Sequence, residues 1–300
     1  MKDKLADLVF RLLMGIATVL PFAARVRFFG WIVAHLIGPV AGFARRIRAN
    51  VALVMPDMTE PDTRRLIRAV CDNIGRTLIE TYSGNEFKIR AATSPTRGEG
   101  FAALEQARQD GRAVVFVSGH FGNYDVLRSW LGSRGQAVGA LYRPFPNAHF
   151  DAHYRAAIGA ISGPIFPRGR RGLAELLRHV REGGWVGMLI DQHKADGAPL
   201  TFMGKTAMTA LSAAEIALRY NALLVPFYGI RQPDGLTFEL LIEAPIEHTT
   251  PEQMTQAVND SLETQVRAHM GQWFWITRRW PPGKRARTSV EPGGGEDFSG

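Results

Sequence analysis

Cysteine is nearly absent: Cys71 stands alone in 300 residues. One thiol cannot build an intramolecular disulfide or a cysteine-rich zinc or iron–sulfur site, and it suits a reducing compartment. Metal-ligand spacing is equally sparse. His149 and His153 form H-x-x-x-H without the glutamate of H-E-x-x-H, a spacing that two surface histidines meet as readily, so no metal is expected. The turn at Ser118-Gly119-His120 does not fit G-x-S-x-G, which argues against a serine nucleophile elbow there.

Acidic residues are in the minority, 28 against 36 Lys plus Arg, for a formal charge of +8 and a pI near 10.0. A basic chain invites a nucleic-acid reading, but no zinc-finger, RRM or KH signature is present, and no nucleic-acid partner is expected. The charge is instead concentrated among apolar residues at the amino terminus. Lys2, Lys4, Arg11, Arg25, Arg27, Arg45, Arg46 and Arg48 face only Asp3 and Asp7 in the first fifty residues. Cations flanking apolar helices suit an anionic membrane surface, where each contributes about 1 kcal/mol.

Uncharged apolar runs fall short of a simple membrane span. Residues 12–24 and 28–44 are uncharged, yet neither reaches the roughly 20 residues a spanning helix needs. Joining the first run to residues 5–10 across Arg11 gives about that length, with one charge able to snorkel to an interface. A cleaved signal is disfavoured because Arg25, Arg27 and a second apolar run follow Ala23–Ala24. Residues 1–44 therefore read as membrane-associated helices, dipping or spanning, with ordinary core helices as the alternative. Lys2, Lys4 and the cluster at 45–48 are expected at cytoplasmic headgroups.

What is plentiful is the pattern of a folded α/β domain. Apolar residues make up 46% and charged residues 21%, ordinary values for a globular chain of a size that buries a large core. Residues 62–90 carry apolar positions at helical spacing, as one helix or two, and 98–110 read as a short helix. Residues 113–118 are a continuous, β-branched apolar run, the signature of a strand buried on both faces. Helices over 123–134, 150–161, 171–182 and 208–220 alternate with strands over 137–142, 164–167, 185–190 and 222–230. A last strand over 236–243, antiparallel, and a helix over 251–270 complete the expected fold: α/β, a mostly parallel central sheet flanked by helices. The domain is expected to run from 45 to 282, with a Gly-rich, disordered tail over 283–300.

Ser118-Gly-His-Phe-Gly-Asn-Tyr-Asp125 follows the buried strand and opens a helix, at the strand end where open α/β sheets bind ligands. In a continuous helix His120 and Asp125 would lie about 140° apart. They meet only if Gly119 and Gly122 let the chain turn between them. A carboxylate on one imidazole nitrogen fixes the tautomer and raises the basicity of the other, which can then deprotonate an alcohol. His120 and Asp125 are the expected catalytic pair. Backbone N–H groups of the turn, or a nearby arginine, are candidates to hold the resulting oxyanion. A helix-capping or buried structural histidine is the alternative.

Asp191 and Gln192 end a buried strand and should face the same cleft. Asp191 would there orient Arg168 or bind a sugar hydroxyl. Gly204–Lys205 could bring backbone close to a substrate. Arg143, Arg168, Arg170 and Arg171 lie at or just past strand ends, where arginine forks match phosphates; a solvated basic loop is the alternative for Arg170 and Arg171. Trp273, Phe274, Trp275 and Trp280 are either core or an interfacial aromatic belt.

Seven segments in order carry a resemblance: GHFGNYD at 119–125, YRPFPN at 142–147, GPIFPRGRRG at 163–172, GMLIDQ at 187–192, FMG at 202–204, ALLVPFYGIR at 222–231 and QWFWITRRW at 272–280. Over roughly residues 5–282 the chain resembles the lipid A biosynthesis lauroyl/myristoyl acyltransferase family, within the broader glycerolipid acyltransferase-like fold. The family usually has Trp-Glu at 124–125 and a histidine where Thr277 stands. The resemblance implies O-acyl transfer from an acyl carrier protein thioester, or CoA, to a lipid A precursor hydroxyl. It implies no cofactor and no covalent acyl-enzyme, with work at the cytoplasmic side of the inner membrane. It singles out Arg143 and Arg168, and with Gly122, Asn123, Asp191, Gln192, Gly204 and Lys205 these are the expected substrate-binding positions. An acyl carrier protein and an anionic membrane lipid acceptor are the implied partners. A lysophospholipid-like or aminolipid acceptor is the runner-up, and a non-catalytic membrane scaffold on the same fold is the reading from another class.

Overall fold

The computed structural model describes residues 14, 15 and 19–280. The expectations for Lys2, Lys4, Asp3, Asp7, Arg11 and the 283–300 tail lie outside the described residues.

The centre of the molecule is set by strand β2 (Val114–Ser118), all of whose residues are buried. Alternate side chains serve opposite faces. Val114 and Phe116 join one apolar cluster, and Val115 and Val117 join another. That two-sided burial is why the run shows no polar alternation. Phe116 packs edge-on against Trp185 and Phe227, with ring centroids 5.7 and 6.0 Å away. A fully buried Phe of this kind stabilises the fold by about 1.5–3 kcal/mol.

Seven strands pair in the order β1-β9-β8-β2-β5-β3-β4. They are β1 (Thr96–Arg97), β2, β3 (Val138–Tyr142), β4 (Ile165–Pro167), β5 (Trp185–Leu189), β8 (Leu223–Arg231) and β9 (Phe238–Ile242). All neighbouring pairs are parallel except β8 with β9. The mostly parallel sheet read from the sequence is therefore present, with its antiparallel strand after Asp234–Gly235. The two-residue strand β1 was too short to register as a pattern.

Among the helices, α1 (Phe22–Ile32) runs through a π-helical turn at Val33–Ile37 and a further turn at Gly38–Val40. Then come α2 (Phe43–Val54), α3 (Glu60–Tyr82), α4 (Asn85–Ala92), α5 (Gly100–Gln109), α6 (Asp125–Gly132), α7 (Ala148–Ile161), α8 (Arg170–Arg181), α9 (Ser212–Arg219) and α10 (Pro251–Ala268). Helix α3 starts at a Thr59 cap whose hydroxyl accepts the Asp62 N–H, with acidic Glu60 and Asp62 in its first turn, both favourable at a helix start.

The expected helix over 208–220 is shorter than the pattern suggested. Its first residues belong to an antiparallel hairpin of β6 (Ala198–Phe202) and β7 (Lys205–Thr209). The hairpin turns through Met203 and Gly204, both at positive φ (53° and 69°), the geometry a tight two-residue loop requires.

Helix α1 is a core element on one side and bare on the other. Phe22, Val26 and Phe29 join the central apolar cluster, and buried Arg25 pairs with Glu86. Phe28, Trp31, Leu36, Ile37 and Val40 are exposed. No single helix among the described residues is long and apolar enough to cross a membrane. Residues 22–40 and 43–54 pass that test together, as a pair bent by 84°.

Candidate active site

The register of the sheet builds the site. Ser118 at the end of β2 lies opposite Leu189 at the end of β5, and the Ile190 N–H donates to the Ser118 carbonyl at 3.0 Å. The next residues on each strand, Gly119-His120 and Asp191, are thereby set side by side. The His120 backbone N–H donates to Asp191 Oδ2 at 2.8 Å, and His120 Nδ1 meets Asp191 Oδ1 at 2.7 Å. Trp273 Nε1 donates to the same Oδ2 at 2.8 Å. An ionised carboxylate only accepts, so Nδ1 carries the proton and Nε2 is left as the basic nitrogen.

This corrects the expected pairing. The carboxylate on His120 is Asp191, not Asp125. Asp125 opens α6 and turns to the residue one helical step on, accepting Arg128 Nη1 at 2.7 Å. The pair is buried, with side chains 4% and 6% exposed. Arg128 also donates to the carbonyls of Val138 and Ile158, at 3.3 and 3.1 Å, and of Ser162. The i,i+3 spacing and the buried carbonyls draw Asp125 away from the imidazole.

The turn between β2 and α6 is held from several sides. Phe121 N–H donates to Gly119 O, Gly122 N–H to Gln272 O and Asn123 N–H to Gly229 O, at 2.8, 2.9 and 3.0 Å. Asp125 N–H donates to Asn123 Oδ1 at 2.9 Å, and the His120 carbonyl accepts Phe274 N–H at 2.9 Å. Gly122 sits at φ 53°, where an added Cβ would lie 2.0 Å from the Gly229 carbonyl. Only glycine fits there.

Beneath the turn is a buried charge network. Asn123 Nδ2 donates to Glu80 Oε2 at 2.8 Å, and Glu80 is gripped by both terminal nitrogens of Arg231. Arg231 Nε reaches Asn73 Oδ1 at 2.8 Å, and Asn73 and Thr77 both donate to the Gly122 carbonyl, at 3.2 and 2.9 Å. Helix α3 and strand β8 thus hold the turn through one ion pair.

A cleft of about 220 Å³ opens beside His120. Ala140, Leu141, Ile158, Leu189 and Phe227 give it apolar walls, while Tyr124, Asp125, Arg128, Arg143 and Tyr154 supply polar groups. Phe145 covers part of it and packs edge-on against Phe150 and Tyr154, at 4.7 and 5.1 Å.

A family model described as bacterial lipid A biosynthesis acyltransferase matches residues 5–281. The chain belongs to that family. It is an acyltransferase. A lipid A biosynthesis acyltransferase of Haemophilus influenzae is 25% identical over 260 residues, covering 84% of this chain and 81% of the relative. The lipid A biosynthesis lauroyltransferase of Escherichia coli is 22% identical, over 79% and 78%. A phosphatidylinositol mannoside acyltransferase of Mycolicibacterium smegmatis is also 22% identical, over 80% of each chain.

Within this acyltransferase the expected substrate-binding positions divide. Arg143 is exposed and lines the cleft. Arg168 and Gln192 are exposed near the same sheet edge but do not line it. Asp191 is committed to His120 and Trp273, so it neither orients Arg168 nor offers its oxygens to a sugar. Gly122 and Asn123 are buried and internally bonded, which makes them builders of the turn rather than substrate contacts. Gly204 and Lys205 form the tip of the β6–β7 hairpin, outside the cleft lining. Arg170 and Arg171 are exposed at the start of α8, where Arg171 pairs with Glu175. Trp273 and Trp275 are core residues at 0% exposure, not an interfacial belt. Glu80, Arg231, Arg128 and Tyr154 were missed; for the first two the signal was a charged residue embedded in an otherwise apolar helix face or strand.

The electrostatics follow the geometry. Burial works against a charged His120, but the Asp191 charge and hydrogen bond outweigh it and lift the imidazole above its ordinary value. Burial likewise opposes ionisation of Asp191, yet His120 and the Trp273 N–H together hold it below the usual carboxylate range. Tyr124 is pushed well above its ordinary value by burial, then by Tyr154 and Asp125. Burial pushes the Cys71 thiol up to about 11, which makes it a packing residue. Among the described residues no cluster of three His, Cys, Asp or Glu side chains has the geometry to hold a metal.

Proposed function

We propose that this acyltransferase moves a fatty acyl chain from an acyl carrier protein or CoA thioester to a hydroxyl of a lipid A precursor. His120 is the general base and Asp191 its orienting carboxylate. The 2.7 Å contact between His120 Nδ1 and Asp191 carries this reading, because it leaves Nε2 unprotonated in a residue that lines the cleft. Nε2 takes the acceptor's hydroxyl proton as the oxygen attacks the thioester carbonyl. The tetrahedral intermediate collapses, the C–S bond breaks, and the imidazolium returns the proton to the departing thiolate.

The backbone N–H groups of residues 120–123 and 125 are all engaged within the protein. The oxyanion is therefore assigned to Arg143, which lines the cleft and is exposed. Arg168, Arg170 and Arg171 stand exposed near the carboxyl ends of β3 and β4. They support an anionic partner, either the acceptor's phosphates or an acidic carrier protein.

The exposed Phe28, Trp31, Leu36, Ile37 and Val40, with basic Arg45 and Arg46 beyond the bend, support attachment to the cytoplasmic face of the inner membrane. The phosphatidylinositol mannoside acyltransferase relative supports a second acceptor reading, another anionic glycolipid. Mass spectrometry of lipids from a deletion strain, complemented by wild type or by His120→Ala, separates these. Lipid A lacking one acyl chain, restored only by wild type, is the expected outcome. An unchanged lipid A with altered phospholipids or other glycolipids would move the acceptor. Restoration by His120→Ala would remove His120 from the chemistry.

A further inference from the structure

The described residues include four buried arginines. Three of them have a carboxylate: Arg25 pairs with Glu86, Arg128 with Asp125 and Arg231 with Glu80. The fourth, Arg279, does not. It is 0% exposed, and its Nη2 donates to two neutral acceptors, Thr209 Oγ1 at 3.0 Å and Asn259 Oδ1 at 2.9 Å. Its Nε and Nη1 are buried without a hydrogen-bond partner among the described residues. A buried guanidinium with no negative charge to balance it costs several kcal/mol.

The path from Arg279 leads to the dyad. Its guanidinium lies over the Phe202 ring at 5.1 Å, Phe202 packs against Trp273 at 5.4 Å, and Trp273 Nε1 is bonded to Asp191. Cation and carboxylate thus bracket two buried aromatic rings, a low-dielectric setting in which charges act strongly. Burial pulls Arg279 down to about 10, which leaves it a cation at neutral pH, and the Asp191 charge acts against that fall.

Charge balance gives this arrangement a purpose. A buried Asp191 facing His120 alone would be neutralised by protonating the imidazole, and an imidazolium cannot take a proton from an alcohol. A permanent cation nearby balances the carboxylate without using that proton. We propose that Arg279 is the standing counter-charge of Asp191, a positioning residue that limits how strongly the carboxylate draws a second proton onto His120. The inference rests on His120 being the base.

Other charged groups around the dyad do not fill this role. Across the cleft, Asp125 and Arg128 cancel as a pair, Arg143 is exposed, and burial keeps the Tyr124 and Tyr154 hydroxyls neutral, the latter at about 12. On the Arg279 side, His193 meets the Arg278 carbonyl through its backbone N–H at 3.1 Å. Lys194 pairs with Asp196, and Glu263 is taken up by Arg267 and the Met203 N–H.

The test is an NMR titration of ring-¹⁵N-histidine protein, with His120→Gln assigning the His120 signal. Arg279→Met removes the cation. Asn259→Asp is close in size, gives up the Nδ2 bonds to the Thr201 carbonyl and Thr209 hydroxyl, and gives Arg279 a carboxylate of its own, cancelling its field at Asp191. Both variants are expected to raise the His120 midpoint by about one pH unit or more. An unmoved midpoint in Asn259→Asp, with the fold checked by circular dichroism, overturns the inference whether or not Arg279→Met folds. The titration reads the resting enzyme, so its outcome is separate from whether His120→Ala still turns over.

Discussion

Asp191→Asn is the perturbation that the geometry specifies most fully. Asp191 Oδ2 accepts two fixed donors, the His120 N–H and Trp273 Nε1, each at 2.8 Å. In asparagine the single remaining oxygen stays with those two donors, and the NH₂ group takes the place of Oδ1. It then donates to His120 Nδ1, which becomes the acceptor, so the ring proton moves to Nε2. The base is held in the wrong tautomer and loses the charge that stabilised its protonated form. A loss of roughly 10³–10⁴ in kcat is expected, the scale of a general base and its orienting group together. The same substitution removes the negative charge that raises His120. The acid limb of kcat/KM, expected above the ordinary histidine value in the wild type, should move to lower pH. Acyl transfer followed by thiol release across the pH range reads both effects. Asp125→Asn is the control: it strands Arg128 and should cost about 3–5 kcal/mol of stability in thermal unfolding, leaving the acid limb where it was. Wild-type kcat in Asp191→Asn, or an acid limb that follows Asp125 instead, would refute the pairing.

Arg143→Ala should lower kcat by roughly 10²–10³ with little change in KM if its guanidinium meets the oxyanion, and Arg168→Ala, outside the cleft lining, should keep kcat within a few-fold. The reverse ranking in steady-state kinetics would exchange their roles. Trp31→Glu with Leu36→Glu should reduce flotation with anionic liposomes more than tenfold, since each side chain contributes about 1.5–3 kcal/mol when its face is buried. Undiminished flotation would mean that this face does not meet the bilayer.

The strands that build the sheet were legible because their burial is two-sided: 113–118 and 185–190 show apolar runs with no polar face to confuse them. The β6–β7 hairpin was not. Pro199 interrupts its first strand, and Met203-Gly204 lacks the Asn-Gly or Asp-Gly signature, although both residues take the backbone conformation that signature encodes. His120 was legible for a similar reason to the strands. It follows a buried strand and lies between glycines that permit a turn. Its partner was not, because nearness in sequence does not fix nearness in space. Asp125 is five residues away but faces along its own helix to Arg128. Asp191 is 71 residues away and arrives through the parallel register of β2 and β5. A carboxylate ending the neighbouring strand is the better candidate whenever a histidine ends a parallel one.

The internal bonding of the turn that carries His120 bears on specificity. Its N–H groups are satisfied by Gln272, Gly229 and Asp191, and its floor by the Glu80–Arg231 pair, so the turn presents His120 at a fixed position and little else. Beyond it the cleft wall combines the sheet residues Ala140, Leu141, Leu189 and Phe227 with Arg143 and Phe145 from the loop after β3 and Tyr154 from α7. The loop after β3 and the basic run at 168–171 are more exposed than the turn. A tightly bonded turn carries His120 and exposed loops edge the cleft, and such loops are where a family that shares one chemistry can differ in acceptor. One relative, 22% identical like the lauroyltransferase, is named a phosphatidylinositol mannoside acyltransferase, a different acceptor on a chain of the same family.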